Sequence, residues 1–171
     1  MDVKFLNPFL DAAAEVLKKE VELDITRGAV NVHKSAFTTD DVTVLINLVG
    51  QIQGVVLYEL SKETAINFVS RMLEQKFTEL DNLAQSGIAE LGNVISGKAT
   101  VALSKAGLDS TISPPTMIIG KGTQISTIDF PRIVVPIQTE LGDVTVHLAL
   151  KESPPDGKNV NFVPLIKEAV R

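Results

Sequence analysis

The chain has 171 residues, 44% of them hydrophobic and 22% charged, which is one globular domain's worth of sequence with enough apolar mass for a core. It has no cysteine and only two histidines, His33 and His147, which excludes a disulfide framework, a thiolate metal site and a cysteine nucleophile. A net charge of −5 argues against a nucleic-acid partner, and no apolar run reaches the roughly 18 residues of a membrane span.

The opening segment shows no apolar core of a signal peptide, so the cytoplasm is the expected compartment. Asn7-Pro8 reads as an N-cap followed by a first helical residue, and Leu6, Leu10, Ala13, Ala14 and Leu17 recur at helical spacing, predicting a first helix over 8–20. A short strand is expected near 30–33. The runs Val44-Leu45-Ile46-Asn47-Leu48-Val49 and Val55-Val56-Leu57-Tyr58 flank Gly50-Gln51-Ile52-Gln53-Gly54, which reads as a hairpin with a glycine-bounded loop. That glycine pair lacks the context of a phosphate-binding loop. Ser61 caps a second helix whose apolar face holds Ala65, Phe68, Val69 and Met72. The third helix is the longest, over 81–106, with Gly107 as its stop. Ser113-Pro114-Pro115-Thr116 forms a rigid loop, and strands are expected at 117–119, 124–128, 133–139 and 144–150. Ser153-Pro154-Pro155-Asp156-Gly157-Lys158 has linker composition, and a short amphipathic segment over 163–170 follows it. The expected organisation is a domain over 1–153 and an extension over 154–171 that docks on the domain or on a partner.

The two predicted hairpins align at a constant offset of 90 residues, with Val44-Leu45 falling on Val134-Val135. The helix preceding each hairpin also carries an echo: Asp11-x3-Glu15-x2-Lys18 in the first and Ser86-x3-Glu90-x2-Asn93 in the third. A helix-plus-hairpin unit that occurs twice points to internal duplication with pseudo-two-fold symmetry.

On a helical projection with Ser86 at zero, Glu90 lies near about +40°, Asn93 near about −20° and Gly97 near about +20°. Ile88, Leu91, Ile95, Ala99 and Ala102 form the opposite, core-facing stripe. Asn93 and Gly97 are poor helix formers, and Glu90 has Ser86 and Val94, no basic residue, one turn away on either side. Such a face serves either as ordinary solvated surface or as a polar site turned to a partner. Gly92 is expected to permit close packing on the sheet. His33 and His147, far apart in sequence, are expected to be packed or surface residues rather than metal ligands.

These features resemble the CheC/CheX family of bacterial chemotaxis phosphatases. The resemblance runs to about Glu152 and rests on Asn7-Pro8-Phe9, Gly50 and Gly54, the stretch Glu90-Leu91-Gly92-Asn93-x3-Gly97, and Ser113-Pro114-Pro115-Thr116. The family pattern is Asp or Ser, x3, Glu, x2, Asn, then a downstream proline; Ser86, Glu90 and Asn93 fit it, and Pro115 stands close to the proline position. In the first helix Lys18 replaces the carboxamide after Asp11 and Glu15, so the CheX pattern of one active copy fits better than the CheC pattern of two.

The resemblance implies an α+β fold, a pseudo-two-fold domain with a mainly antiparallel sheet and two long helices packed on one face. It implies hydrolysis of the phosphoaspartate of a CheY-like response regulator, with Glu90 and Asn93 as catalytic residues and Ser86, Gly97 and Pro115 as binding residues. It implies no metal or cofactor of the chain's own, the Mg²⁺ being carried by the partner receiver domain, and a homodimer. The alternatives are a non-catalytic regulator-binding or adaptor module of the same superfamily and a flagellar switch component.

Overall fold

The computed structural model describes residues 3–34, 36–127, 130–154 and 165–167, with residues 3 and 165–167 described by backbone alone. After a 3-10 turn over Val3–Phe5 the elements run α1 (Leu6–Val21), β1 (Thr26–Arg27), β2 (Asn31–His33), β3 (Phe37–Thr38), β4 (Val42–Gly50), β5 (Ile52–Leu60), α2 (Lys62–Met72) and α3 (Asn82–Lys105). They continue as β6 (Ser110–Ile112), β7 (Thr116–Ile119), β8 (Gln124–Ser126), β9 (Arg132–Gln138), β10 (Val144–Glu152) and β11 (Leu165–Lys167).

β4, β5, β9 and β10 form the centre of an antiparallel eight-stranded sheet in the order β1-β9-β10-β5-β4-β6, with β2 also on β9 and β7 also on β4. The order reads the same from either end. β5 and β10 pair along nine residues at the middle, from Val144↔Leu60 to Glu152↔Ile52. The strands after α1 cross to β9, and those after α3 cross to β4. Each helix-plus-hairpin unit therefore lends its short strands to the other's hairpin, a pseudo-two-fold arrangement, but the offset of 90 is not constant: Val44 faces the helices as Ile133 and Val135 do, while Leu45 faces the other way, so Val44-Leu45 does not fall on Val134-Val135.

Strand β5 is buried at almost every residue rather than at alternate ones. A strand with that pattern is covered on both faces. On one face α1, α2 and α3 pack their apolar stripes against Val44, Ile46, Val56, Tyr58, Val135 and Val146. On the other, Leu45, Val55, Leu57 and Ala149 meet Phe37, Ile125 and Phe130. That second cover includes a three-stranded sheet, β11-β8-β3, of which the sequence announces β8 within the expected strand over 124–128 but not its short partners β3 and β11. The backbone of β11 pairs with β8, from Leu165↔Ser126 to Lys167↔Gln124, so part of the C-terminal extension lies on the domain. The rest of that extension beyond 154, including most of the expected 163–170 segment, lies outside the described residues, as does Ile128 at the end of the expected strand 124–128.

Three local expectations are corrected. Helix α1 begins at Leu6 with Phe5 as N-cap, so Asn7 does not cap it and Pro8 sits inside the first turn, where its missing N–H has no intrahelical partner to lose. The β4–β5 hairpin turns tightly around Gln51, and Gln53 and Gly54 belong to the strand. Gly54 is there for another reason: a Cβ at its φ of +137° would stand 2.0 Å from the Ala149 carbonyl oxygen of β10. Ala102 is exposed, and Leu103 takes the core position at the end of the α3 stripe.

Candidate functional site

Both ends of helix α3 are fixed by local chemistry. Asp81 is its N-cap, with Oδ1 accepting from the Ala84 N–H at 2.8 Å. At the far end the Gly107 N–H donates to the Ser104 carbonyl at 2.9 Å and the Leu108 N–H to the Leu103 carbonyl at 3.0 Å, with Gly107 at φ +80°. This is the double bond of a Schellman stop.

The rotation and depth of α3 on the sheet are set from below. A Cβ on Gly92 would lie 3.0 Å from Val44 Cγ1 and 3.2 Å from Tyr58 Cδ2, so the helix settles closely on β4 and β5 there, as the sequence leads one to expect. One turn on, Ser96 and Tyr58 share a buried hydrogen bond of 2.8 Å. Burial pushes the Tyr58 hydroxyl well above its usual range, so it stays protonated at this contact. Nothing in a lone helical serine or a lone strand tyrosine signals this pair in the sequence. With Gly92 and Ser96 turned inward, Ser86, Glu90, Asn93 and Gly97 turn outward.

On that face the Asn93 carboxamide donates to Glu90 Oε2 across 3.4 Å, a long hydrogen bond. No cation among the described residues stands within ion-pairing distance of Glu90. Lys98, the nearest lysine along α3, is held by Glu15 of α1 at 2.6 Å. Ser86 donates to the Asn82 carbonyl at 2.9 Å, an ordinary bond within the helix, and its side chain is exposed. Gly97 has room: a Cβ there would come no closer than 3.9 Å to Ile112 Cδ1 of β6. An alanine would fit and would favour the helix by about 1 kcal/mol, so the chain's own packing does not explain this glycine.

Pro115 is half-buried in the connection between β6 and β7. That connection is anchored on β4 by the Ser113 N–H donating to the Asn47 carbonyl at 2.9 Å and the Asn47 N–H donating to Ser113 Oγ at 3.0 Å. Helix α3 packs on β6 and β7. Pro115 therefore lies between two strands that neighbour α3, while Glu90 and Asn93 touch directly.

The α1 copy of the pattern is arranged differently. Glu15 is engaged by Lys98, whose charge and hydrogen bond hold the carboxyl below its usual range. Lys18 pairs with Asp24, its Nζ 2.9 and 3.0 Å from the two carboxylate oxygens. Both groups that correspond to Glu90 and Asn93 are already occupied.

Of the two histidines, His147 is packed as expected. Its Nδ1 accepts from Arg132 Nε at 3.1 Å, its Nε2 lies 3.0 Å from Glu59 Oε2, and its ring meets Phe37 with centroids 4.5 Å apart. Burial pushes its pKa down, against the pull of Glu59, and keeps the ring neutral at this contact. His33 is exposed on β2, where it pairs with Arg132 in register, so the fold brings the two histidines closer than their sequence separation implies.

Among the described residues no helix is long and apolar enough to cross a membrane. A family model described as "Chemotaxis phosphatase CheX" matches residues 42–138, more than half of the chain. The match spans Glu90, Asn93 and Pro115 and omits α1. A curated relative from Thermotoga maritima, the CheY-P phosphatase CheX, is 28% identical over 153 residues, covering 88% of this chain and 98% of that protein. The crystal structure of a CheC-like superfamily protein from Shewanella sp. PV-4 superposes with a TM-score of 0.80 at 27% identity, covering 88% of this chain and 99% of the other. The crystal structure of a CheX–CheY–BeF3–Mg²⁺ complex from Borrelia burgdorferi superposes with a TM-score of 0.71 at 23% identity, covering 88% and 100%, a likeness of fold.

Proposed function

The chain belongs to the CheX family of chemotaxis phosphatases, and from that premise we propose that it hydrolyses the phosphoaspartate of a CheY-like response regulator, with Asn93 positioning the attacking water and Glu90 docking the regulator's lysine. The observation that carries the residue assignment is the outward pair on α3: a carboxamide next to a carboxylate that no cation of the described chain neutralises, beside a glycine its own fold does not require.

Water attacks the phosphorus, the bond from phosphorus to the aspartyl oxygen breaks, and the products are inorganic phosphate, the regulator's carboxylate and a proton released to solvent. An acyl phosphate is already activated, so the step needs an in-line water and stabilisation of charge on the transferring phosphoryl group. The receiver domain supplies its own Mg²⁺ and lysine for the charge. The Asn93 carboxamide can accept from the water through its oxygen and hold it on the line of attack, while Glu90 fixes the docking register. Pre-positioning of this kind contributes up to several kcal/mol to lowering a barrier. Ser86, Gly97 and Pro115 line the approach, Gly97 by leaving room for the receiver.

A helix face that projects outward suits a macromolecular substrate, since small-molecule sites are concave. Mg²⁺ belongs to the partner in this reading, and the chain works in the cytoplasm as a homodimer. The test is phosphate release from a phosphorylated CheY-type receiver domain with and without the protein. Acceleration is expected; binding without acceleration would leave a regulator-binding module instead.

A further inference from the structure

Helices α1 and α3 are related by the pseudo-two-fold, yet their exposed residues differ in kind. On α1 the exposed positions are Asn7, Asp11, Glu15, Lys18, Lys19 and Glu20, all charged except Asn7. On α3 they are Asn82, Leu83, Ser86, Glu90, Val101, Ala102, Ser104 and Lys105, and only Glu90 and Lys105 carry charge. Charged residues are depleted at the cores of protein interfaces, so α3 is the less charged and more apolar of the two faces and α1 the more strongly solvated one.

Leu83 and Val101 are 52% and 57% exposed, large apolar side chains that the described residues leave about half open to solvent. Both project near about +60° on the helix, the same side as Glu90 and Gly97. Leu83 lies about 15 Å along the axis on one side of Asn93 and Val101 about 12 Å on the other. Beside Val101 an open cleft runs between the C-terminal half of α3, β4 and β6, apolar at Val49 and Val101 and polar at Ser104, Asp109, Ser110 and Thr111.

We propose that the docking face of this protein extends along α3 from Leu83 to Val101, and that these two side chains and the cleft beside Val101 receive an apolar surface of the receiver domain flanking its phosphorylation site. The inference rests on the reading of Asn93 given above and adds where affinity resides. A standard interface buries about 800 Å² per partner, a patch about 30 Å across. A receiver centred on Asn93 therefore covers both apolar residues. Asn93 in the polar middle then carries the chemistry, Glu90 beside it fixes the docking register, and the two apolar ends add affinity without acting on turnover.

The test measures two quantities on each variant: Kd for a CheY-type receiver domain charged with beryllofluoride and Mg²⁺, and kcat for phosphate release from the phosphorylated receiver. Val101→Asp and Leu83→Asp are expected to raise Kd about tenfold or more, with kcat at saturation within about twofold of wild type. Val101→Ala, which favours the helix, is expected to weaken binding in the same direction by a smaller factor. Leu73→Asp, an exposed leucine at the end of α2, is the control and leaves both unchanged. Wild-type Kd in Val101→Asp and Leu83→Asp would overturn the inference. So would a fall in the chain's own assembly mass with receiver affinity intact, since the face would then belong to a second copy. A wild type that binds the charged receiver but releases no phosphate would refute the catalytic reading alone, and the Val101 comparison of Kd would still decide the docking face. A wild type that does not bind at all would refute both.

Discussion

Glu90 and Asn93 are three residues apart and 3.4 Å apart at their side chains, and what sets them off from other helical Glu-Asn pairs is what surrounds them. No basic residue stands one turn from Glu90, the nearest lysine along α3, Lys98, is paired with Glu15, and the neighbouring Gly97 has space that an alanine would fill without strain. A carboxylate reserved for an incoming lysine responds differently to loss of charge and to reversal of charge. Glu90→Gln removes the ion pair; Glu90→Lys adds like-charge repulsion against the receiver's lysine. Titration calorimetry with the beryllofluoride-charged receiver is expected to show Glu90→Lys weaker than Glu90→Gln by several-fold, and equal affinities would remove the gripping role from Glu90. The site pair was legible in the sequence because both residues lie on the polar side of an unambiguous helical stripe. The Tyr58–Ser96 hydrogen bond that fixes the rotation of that stripe was not, since it joins residues 38 positions apart that form no pattern.

Among the elements, α3 was read within a residue at each end because Asp81 and Gly107 are strong caps and its core face keeps helical period for six turns. α1 starts two residues before the Asn7-Pro8 signal, which has the composition of a helix start, because the 3-10 turn over Val3–Phe5 delivers the chain earlier. Gly54 looked like a turn residue because composition does not distinguish a glycine that turns the chain from one that admits a neighbouring carbonyl. The degenerate pattern on α1 is the element-level test. Within the helix, spacing allows Glu15 to pair with Lys18; the structure instead gives Glu15 to Lys98 of α3 and Lys18 to Asp24 of the loop that follows α1. Lys18→Asn would restore the written motif yet leave Glu15 engaged and the charged surround of Lys19, Glu20 and Glu22 in place. The double variant Lys18→Asn with Asn93→Ala is therefore expected to release phosphate no faster than Asn93→Ala alone. Robust turnover by the double variant would show a second working surface on α1.

At the scale of the whole molecule, the symmetric sheet order leaves short strands at both margins, β1 and β2 on β9 and β6 and β7 on β4. Val32 of β2 is 62% exposed and Ile119 of β7 48% exposed, so these margins carry apolar side chains that a solitary sheet would leave open to water. A homodimer joined through sheet edges is expected, with a dimer mass by light scattering at micromolar concentration; a monomer mass would remove that claim. The doubled architecture is legible in the repeated helix and hairpin, although the offset of 90 puts β4 one residue out of register on β9, and the exchange of short strands between the halves is not, because β1 and β6 are too short to carry a period. The same doubling frames the central claim, that a symmetric scaffold performs its chemistry through one helix and one carboxamide. The direct measurement is phosphate release from a phosphorylated CheY-type receiver by wild type and by Asn93→Ala, with the fold of the variant checked by circular dichroism. Acceleration by the wild type and its loss, by about a hundredfold or more, in a folded Asn93→Ala is the predicted result; a folded Asn93→Ala that releases phosphate at the wild-type rate would contradict the account.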